Sequence, residues 1–295
     1  MEEILIFTEA YNCGLILKKS LETFHQYHNK KVTVFGTVED FKHLTPHPNN
    51  ILYDISGFSD IIDGYRKGHH GTAHIFAKVI DGTLSNAKKV IHFDSDTIFR
   101  SECIEFIENK LDENNDLVGP YRCYKNNLNG RTDLGHLEDV VQTYIFGFNK
   151  EKISRGIESN LVSMCEGLYN PLGHPILDFF DPISFNILNN GGSVYFLDHH
   201  DYGGMDSDGN KMNFYGEINT KIDFGHKIIH FAGVGSGMNY YNNPGSGNSI
   251  GYVNWAKSQY IIYQKLYYDD SFPGEYDTEK FMLIKNNINK HKQEE

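Results

Sequence analysis

The sequence predicts an α/β protein in which helices cover both faces of a mainly parallel central sheet. Short apolar runs alternate with segments of helical periodicity along the first hundred residues, which is typical of strand–helix–strand units in a parallel sheet. Two aspartates, at 94 and 96, directly follow the fourth apolar run. Ligands of such sheets bind outside the carboxyl ends of the strands. The sequence therefore predicts both the fold class and the place of a functional site.

The first half of the chain has the clearer pattern. Residues 4–8 (ILIFT) form a continuous apolar run, and residues 31–36 (KVTVFG) are rich in β-branched side chains and end in glycine, so both favour strands. Residues 14–27 and 71–84 carry apolar side chains at helical spacing. Further strands are predicted at 51–56 and 89–93.

The second half is less regular, although strand and helix patterns continue. Residues 199–220 are rich in Gly, Asp and Asn and predict a long loop, and a second glycine-rich loop follows residue 233. The predicted helices are 101–110, 181–192 and 252–268, and the predicted strands are 116–121, 141–149, 193–198 and 227–233.

The composition limits the classes of function. The 295-residue chain is 39% hydrophobic and 14% aromatic, as expected of a globular protein. Its formal net charge of −12 argues against a nucleic-acid partner, because no basic stripe can displace counterions. The four cysteines are scattered, the first residues are acidic, and no apolar run could cross a bilayer. We therefore expect a cytoplasmic protein without a transmembrane segment.

The stretch 90–99 (VIHFDSDTIF) carries the main functional signal. Two carboxylates, Asp94 and Asp96, directly follow a predicted buried strand. Removing such a pair from water costs several kcal/mol unless a positive charge lies beside it. Either the pair lies in solvent at a turn, or it binds a cation. Hard oxygen ligands of this kind suit Mg²⁺ or Mn²⁺.

Two families have an apolar strand that leads into such a pair. The haloacid-dehalogenase phosphatases use an Asp-x-Asp-x-Thr nucleophile motif, but here Thr97 comes one place early and no later Gly-Asp-x-x-x-Asp is evident. The segment 71–99 more closely resembles the core of GT-A-fold glycosyltransferases, in which helix, strand and Asp-x-Asp follow in this order. The strand KIIHFAG (227–233) resembles the late strand of that fold. The resemblance covers roughly residues 1–240.

The resemblance implies a metal site made by three side chains. Asp96 would bind Mn²⁺ or Mg²⁺ directly, and Asp94 would reach the metal or the ribose hydroxyls. Asp94, Ser95 and Asp96 would all belong to the donor-binding site. His230 would supply a neutral ring nitrogen as a further ligand, brought to the end of the fourth strand by packing in the parallel sheet. For His230, a hydrogen-bonded histidine of the core or surface is the alternative interpretation.

The resemblance also implies contacts to a nucleotide-sugar donor. Three of the candidates below also have a purely structural interpretation. Asp54 could be a turn residue, Arg66 could belong to a solvated basic turn, and the glycine-rich segment could be a flexible loop. The candidates are Thr8, Ala10 and Tyr11 for the base, Asp54 for the base, Arg66 for phosphate, and Gly233, Ser236 and Gly237 for the diphosphate.

Two further aspartates are candidates for the catalytic base. Asp178 lies among Ile, Leu and Phe, and an apolar setting raises the pKa of a carboxyl group towards the range of a general base. Asp181 precedes Pro182, so it is also an excellent N-cap of a helix.

The predicted function is transfer of a sugar from a nucleotide sugar, most simply a UDP-sugar, to a glycan, polysaccharide or other hydroxyl acceptor. The alternatives are a metal-dependent phosphohydrolase of haloacid-dehalogenase type and a non-catalytic nucleotide-sugar-binding protein. The expected organisation is a single GT-A-like, Rossmann-like domain over 1–248, with a donor-binding half (1–121) and an acceptor-binding half (122–248). A helical extension is expected over 249–295.

Overall fold

The computed structural model describes residues 3–11, 14–66, 70–123, 139–141, 143–153, 181–198, 201–203 and 227–230. Within these ranges the strands are β1 (Ile4–Glu9), β2 (Val32–Gly36), β3 (Asn50–Asp54), β4 (Lys89–Phe93), β5 (Thr97–Phe99), β6 (Leu117–Cys123), β7 (Asp139–Val141), β8 (Ile145–Asn149), β9 (Val194–Leu197), β10 (Tyr202–Gly203) and β11 (Ile228–His230). The helices are α1 (Gly14–Tyr27), α2 (Val38–Phe41), α3 (Ser59–Arg66), α4 (His70–Ile80), α5 (Ile104–Asp112) and α6 (Asp181–Asn189). The predicted boundary at 248 and the C-terminal helical extension lie outside the described residues.

Eight of the described strands form the main sheet, in the order β3-β2-β1-β4-β8-β6-β7 with β9 beside β6. The pairs β1–β2, β2–β3 and β1–β4 are parallel. Strand β8 is antiparallel to both β4 and β6. The predicted α/β class is confirmed, and its parallel pairing is concentrated in the half that strands β1 to β4 build.

A second, three-stranded sheet has the order β10-β11-β5. Strand β11 is parallel to β10 and antiparallel to β5. Strand β5 follows β4 after a short turn, so that turn joins the two sheets. Sequence analysis does not predict β5, because a run of three residues is too short to show a period.

Successive side chains of a strand point to opposite faces of the main sheet, and an apolar layer packs on each face. In β1, Ile6 belongs to one layer and Phe7 to the other. The layer that contains Ile6 also contains buried residues of α1 and α5. The layer that contains Phe7 takes in residues of α3, α4 and α6. The prediction of helices on both faces is confirmed.

Three predicted elements have different bounds in the structure, and local chemistry explains two of these differences. The helix predicted over 71–84 ends at Ile80, because Gly82 adopts a φ of +89°, which does not continue a right-handed helix. The third strand ends at Asp54, whose carboxylate accepts a hydrogen bond from the Ser56 N–H at 2.9 Å. The strand predicted over 141–149 is two strands, β7 and β8.

Lys150→Met is expected to destabilise the connection that leads into β4. The Lys150 ammonium donates to the carbonyls of Val79 at 2.6 Å and Ser85 at 2.7 Å. Methionine removes both hydrogen bonds, so the free energy of unfolding in urea should fall by about 1–3 kcal/mol. Lys88→Met is the control, because Lys88 is exposed and its ammonium forms a solvent-exposed ion pair with Glu151. Equal losses in the two variants would contradict a structural role of Lys150.

Candidate functional site

The main sheet reverses its direction of growth between β1 and β4. The chain first places β2 and β3 on one side of β1, and then returns to place β4 on the other side. Such a switch point opens a crevice at the carboxyl ends of the two neighbouring strands. Glu9 ends β1 and Asp94 directly follows β4, so both residues lie at this crevice.

Asp94, Ser95 and Asp96 form the turn that joins the two sheets. The Thr97 N–H donates to the Asp94 carbonyl at 3.1 Å, and the Asp94 N–H donates to the Tyr144 carbonyl at 2.8 Å. The side chain of Asp94 is 35% exposed, whereas that of Asp96 is 7% exposed. Asp96 is therefore not a solvated turn residue, and a buried carboxylate of this kind needs a positive partner.

The structure brings His230 to both carboxylates. Its Nε2 lies 3.2 Å from Asp94 Oδ2 and 3.2 Å from Asp96 Oδ1. The route differs from the prediction, since β11 does not join the parallel sheet. It pairs antiparallel with β5, and His230 is in register with Thr97, the residue after Asp96. These contacts fit a metal ligand, and they also fit the alternative of a hydrogen-bonded histidine. A metal-binding role of His230 stays a prediction.

The charges of the cluster control the protonation of His230. Burial alone would lower the pKa of the ring, but the negative charges of Asp96 and Asp94 and hydrogen bonds to both raise it to about 9. In the metal-free protein the imidazolium therefore donates to the carboxylates near neutral pH. A divalent cation has to displace this proton, because a coordinating imidazole is neutral.

The three side chains fit a divalent cation. One ligand atom from each of Asp94, Asp96 and His230 lies within 4.8 Å of the others. Neighbouring ligands of an octahedral cation bound at about 2.1 Å lie about 3.0 Å apart, close to the 3.2 Å between the imidazole nitrogen and each carboxylate. Carboxylate oxygens suit Mg²⁺ and Mn²⁺, and the ring nitrogen favours the transition metal of the two. No other such group of His, Cys, Asp and Glu converges within the described part of the chain.

Sequence analysis does not single out His92, which lies fully buried in β4 behind Asp94. Its Nε2 lies 3.2 Å from Glu9 Oε2 and 3.8 Å from Asp94 Oδ1. Burial would lower the pKa of His92, but the charges of Glu9 and Asp94 outweigh burial and raise the pKa. A histidine two positions before Asp94 in an apolar strand shares a strand face with it, and this spacing is the signal that could have identified it.

The predicted base contacts near the end of β1 differ in accessibility. Thr8 is fully buried, and its hydroxyl has no hydrogen-bond partner within the described ranges. Ala10 is also fully buried, and its N–H donates to the Phe35 carbonyl at 2.8 Å. Tyr11 is partly exposed and stacks on Tyr65 of α3, with ring centroids 4.3 Å apart and an interplanar angle of 6°. Tyr11 is thus the one of these three with a side chain open to a ligand, and base binding stays a prediction.

Asp54 and Arg66 both have local partners. Asp54 ends β3, which β2 separates from β1, and the hydrogen bonds from Ser56 lower the pKa of its carboxyl group. Arg66 ends α3 with a side chain 70% exposed, and it pairs with Asp63 at 2.9 Å. Donor binding by Asp54 or Arg66 stays a prediction.

The remaining predicted residues belong to the second half of the chain. Asp181 is the first residue of α6. Asp178, Gly233, Ser236 and Gly237 lie outside the described residues. A catalytic role of the two aspartates and a diphosphate-binding role of the glycine-rich loop stay predictions.

Fold and side-chain cluster together define an α/β protein with a candidate divalent-cation site at the switch point of its sheet. No family model and no curated protein matches the sequence. In the described part of the chain, no helix combines the length and apolar character needed to span a membrane.

Several solved glycosyltransferase structures are similar to this chain. Mouse xyloside xylosyltransferase 1 in its apo form is 10% identical over 66% of this chain and 85% of that one, with a TM-score of 0.44. GlyE of Streptococcus pneumoniae is 14% identical over 98% of this chain and 63% of its own, with a TM-score of 0.48. The galactosyltransferase LgtC, in complex with donor and acceptor sugar analogs, is 17% identical over 66% of this chain and 73% of its own, with a TM-score of 0.44. At these values the chemistry of this chain has to follow from its own residues.

Proposed function

We propose that this protein is a glycosyltransferase that moves a sugar from a UDP-sugar to a hydroxyl of a glycan or polysaccharide, with Mn²⁺ or Mg²⁺ as cofactor. The convergence of Asp94, Asp96 and His230 at the switch point of the sheet supports the proposal. Doubly wound sheets bind nucleotides at such crevices. In a chain with a net charge of −12, a bound cation is a direct way to hold a diphosphate beside two carboxylates.

The three side chains have different parts in this proposal. Asp96, with a side chain 7% exposed, would bind the cation, and the neutral Nε2 of His230 would complete its protein ligands. Asp94, with a side chain 35% exposed, reaches the cation or the donor ribose. When bound, the metal supplies Lewis-acid stabilisation of the diphosphate that leaves as the bond to the sugar breaks.

Tyr11 is the residue we propose for stacking on the nucleotide base. Its ring is held parallel to that of Tyr65. Tyr65 in turn needs glycine at position 71 of α4, because a Cβ at Gly71 would lie 2.3 Å from the Tyr65 ring. An aromatic ring held in this way loses little entropy when a base stacks on it. The Thr8 hydroxyl is buried and has no hydrogen-bond partner in the described ranges. It could contact the nucleotide sugar only after a local shift of the chain.

The geometry supports the phosphohydrolase alternative less well. A nucleophilic Asp94 would need a carboxylate oxygen free to attack phosphorus. Its Oδ2 lies 3.2 Å from His230 Nε2, and its Oδ1 lies 3.8 Å from His92 Nε2. Burial raises the pKa of Asp94 although both histidines act to lower it, so the argument against attack is geometric: each carboxylate oxygen faces a histidine nitrogen.

A thermal-shift screen of nucleoside diphosphates with Mn²⁺ or with a chelator tests the proposal. We expect UDP to raise the unfolding temperature strongly only when Mn²⁺ is present, because a cation held by the two carboxylates would supply the positive charge that the diphosphate needs. A ligand at a hundredfold its Kd adds about 2.7 kcal/mol to the free energy of unfolding, which is a readily measured shift. ADP, GDP and CDP serve as matched controls for the base.

Three outcomes separate the alternatives. Equal shifts by UDP with Mn²⁺ and with chelator would contradict the metal bridge. Hydrolysis of a generic phosphomonoester that needs Asp94 would favour the phosphohydrolase. Tight UDP–Mn²⁺ binding without slow UDP-sugar hydrolysis or transfer to any glycan would favour a binding protein without turnover.

A further inference from the structure

The two residues before β8, Thr143 and Tyr144, lie where the main sheet, the Asp94–Asp96 turn and the small sheet meet. The carbonyl of Thr143 lies 3.3 Å from His92 Nδ1. The carbonyl of Tyr144 accepts a hydrogen bond from the Asp94 N–H at 2.8 Å. This segment therefore supports β4 and the start of the turn through its backbone, and the side chain of Tyr144 is free to serve another purpose.

The Tyr144 ring lies flat against the imidazole of His230. The ring centroids are 4.3 Å apart and the interplanar angle is 11°. Tyr144 is only 4% exposed, so the stack is shielded from water. Its hydroxyl donates to the carbonyl of Tyr202 in β10. Since Tyr202 is in register with Ile228 of β11, the same side chain holds the strand pair that carries His230.

Among the residues that the structure describes, none gives His230 the hydrogen bond that usually orients a metal-binding histidine. Such a ring normally donates its second N–H to a carboxylate, a carbonyl or water, which sets the orientation of the ring. Here Nε2 faces both aspartates, and the buried Nδ1 has no hydrogen-bond partner within the described ranges. Among these residues, the Tyr144 stack is the contact that can fix the plane of the ring.

We infer that Tyr144 is a positioning residue for the metal site: its ring sets the plane of the His230 imidazole, and its hydroxyl anchors that ring to β10. This inference rests on the proposed function, because it assumes that His230 binds a cation. Tyr144 itself acts only through His230 and the backbone of Asp94. Its loss should therefore weaken Mn²⁺ binding even when no nucleotide sugar is present.

The test measures Mn²⁺ affinity directly, from the electron paramagnetic resonance signal of free Mn²⁺, without donor. Tyr144→Leu removes the stack and should weaken Mn²⁺ by roughly 10–100-fold, the loss typical of residues that orient metal ligands. Tyr144→Phe keeps the stack but not the anchor, and should weaken Mn²⁺ by roughly two- to tenfold, the effect of one neutral hydrogen bond. Partial recovery in the phenylalanine variant distinguishes positioning from general destabilisation.

Tyr202→Phe is the matched control. It removes a buried tyrosine hydroxyl from the same region but keeps the Tyr202 carbonyl that accepts from Tyr144. We expect wild-type Mn²⁺ affinity in this variant. Unfolding temperatures of all variants are measured in parallel, because a purely structural role of Tyr144 would lower them without changing the Mn²⁺ affinity of the folded protein.

The possible results are separable. No Mn²⁺ binding by the wild-type protein would overturn the proposed function itself. Mn²⁺ binding by the wild type with equal affinity in a folded Tyr144→Leu variant would overturn only the positioning role. If Tyr144→Leu does not fold, Tyr144→Met, which fills similar space without a ring, takes its place, and wild-type Mn²⁺ affinity in that variant would overturn the inference.

Discussion

Asp96→Asn is expected to abolish metal-dependent donor binding and turnover while the protein stays folded. Asparagine keeps the size of the side chain but removes the charge that lies 3.2 Å from His230 Nε2. Asp96 is the more buried of the two carboxylates, so water replaces its charge poorly. We expect UDP-sugar hydrolysis at saturating Mn²⁺ to fall by at least about 100-fold, as when one transition-state stabilising group is lost.

The control for Asp96→Asn is Asp81→Asn, in the connection between α4 and β4. Asp81 is an exposed turn residue whose carboxylate accepts from the Thr83 N–H at 2.7 Å, and asparagine can accept the same hydrogen bond. This variant should keep wild-type donor hydrolysis. Wild-type hydrolysis in Asp96→Asn as well would show that the site does not lie at residues 94–96.

His230→Gln is expected to weaken Mn²⁺ binding and to remove most of its pH dependence. The direct loss of a ligand should cost at least the roughly 10–100-fold in affinity that the loss of a supporting residue costs. Glutamine cannot take up a proton, whereas the pKa of His230 in the metal-free protein is about 9. Mn²⁺ titrations of UDP-sugar hydrolysis in both proteins give the half-saturating metal concentrations to compare.

The sign of the pH dependence follows from the raised pKa of His230. Below pH 9 a cation has to displace one proton, so wild-type Mn²⁺ affinity should rise about tenfold per pH unit between pH 6.5 and 8.5 and level off near pH 9. In the metal-free protein, the free energy of unfolding changes with pH in the opposite direction to the Mn²⁺ affinity. The His230 contribution to the free energy of unfolding is complete below the unfolded pKa of about 6.5 and is lost as the pH rises through about 9.

Two results would contradict the assignment of His230. An unchanged half-saturating Mn²⁺ concentration in His230→Gln would remove the ring from the metal site. A slope of Mn²⁺ affinity against pH that is equal in the two proteins would assign the displaced proton to another group. In either case the proposed metal site would rest on Asp94 and Asp96 alone.

Local patterns in the sequence were sufficient for several elements of the first half of the fold, but not for α2, α3 or β5. The apolar run of β4, which ends at Phe93 as predicted, places Asp94 at the carboxyl edge of the sheet. The predicted span of α1, 14–27, is also that of the structure. Both depend on side chains within a few turns or strand positions of each other, which periodicity detects. The end of α4 at Ile80 was predicted too late in the chain, although Gly82, two residues further on, is a local stop signal.

By itself the sequence determined the alternation of strands and helices and the position of the carboxylate pair at the end of β4. The late histidine became a candidate partner through the resemblance to GT-A-fold glycosyltransferases. Only the tertiary structure decided how these groups meet. His230 reaches Asp96 through three residue pairs between β5 and β11, and Tyr144 reaches His230 through a stacked ring. The buried pair of His92 and Glu9 likewise joins the ends of two strands. Contacts between residues far apart in the chain leave no period in either segment, so they become visible only when the chain has folded.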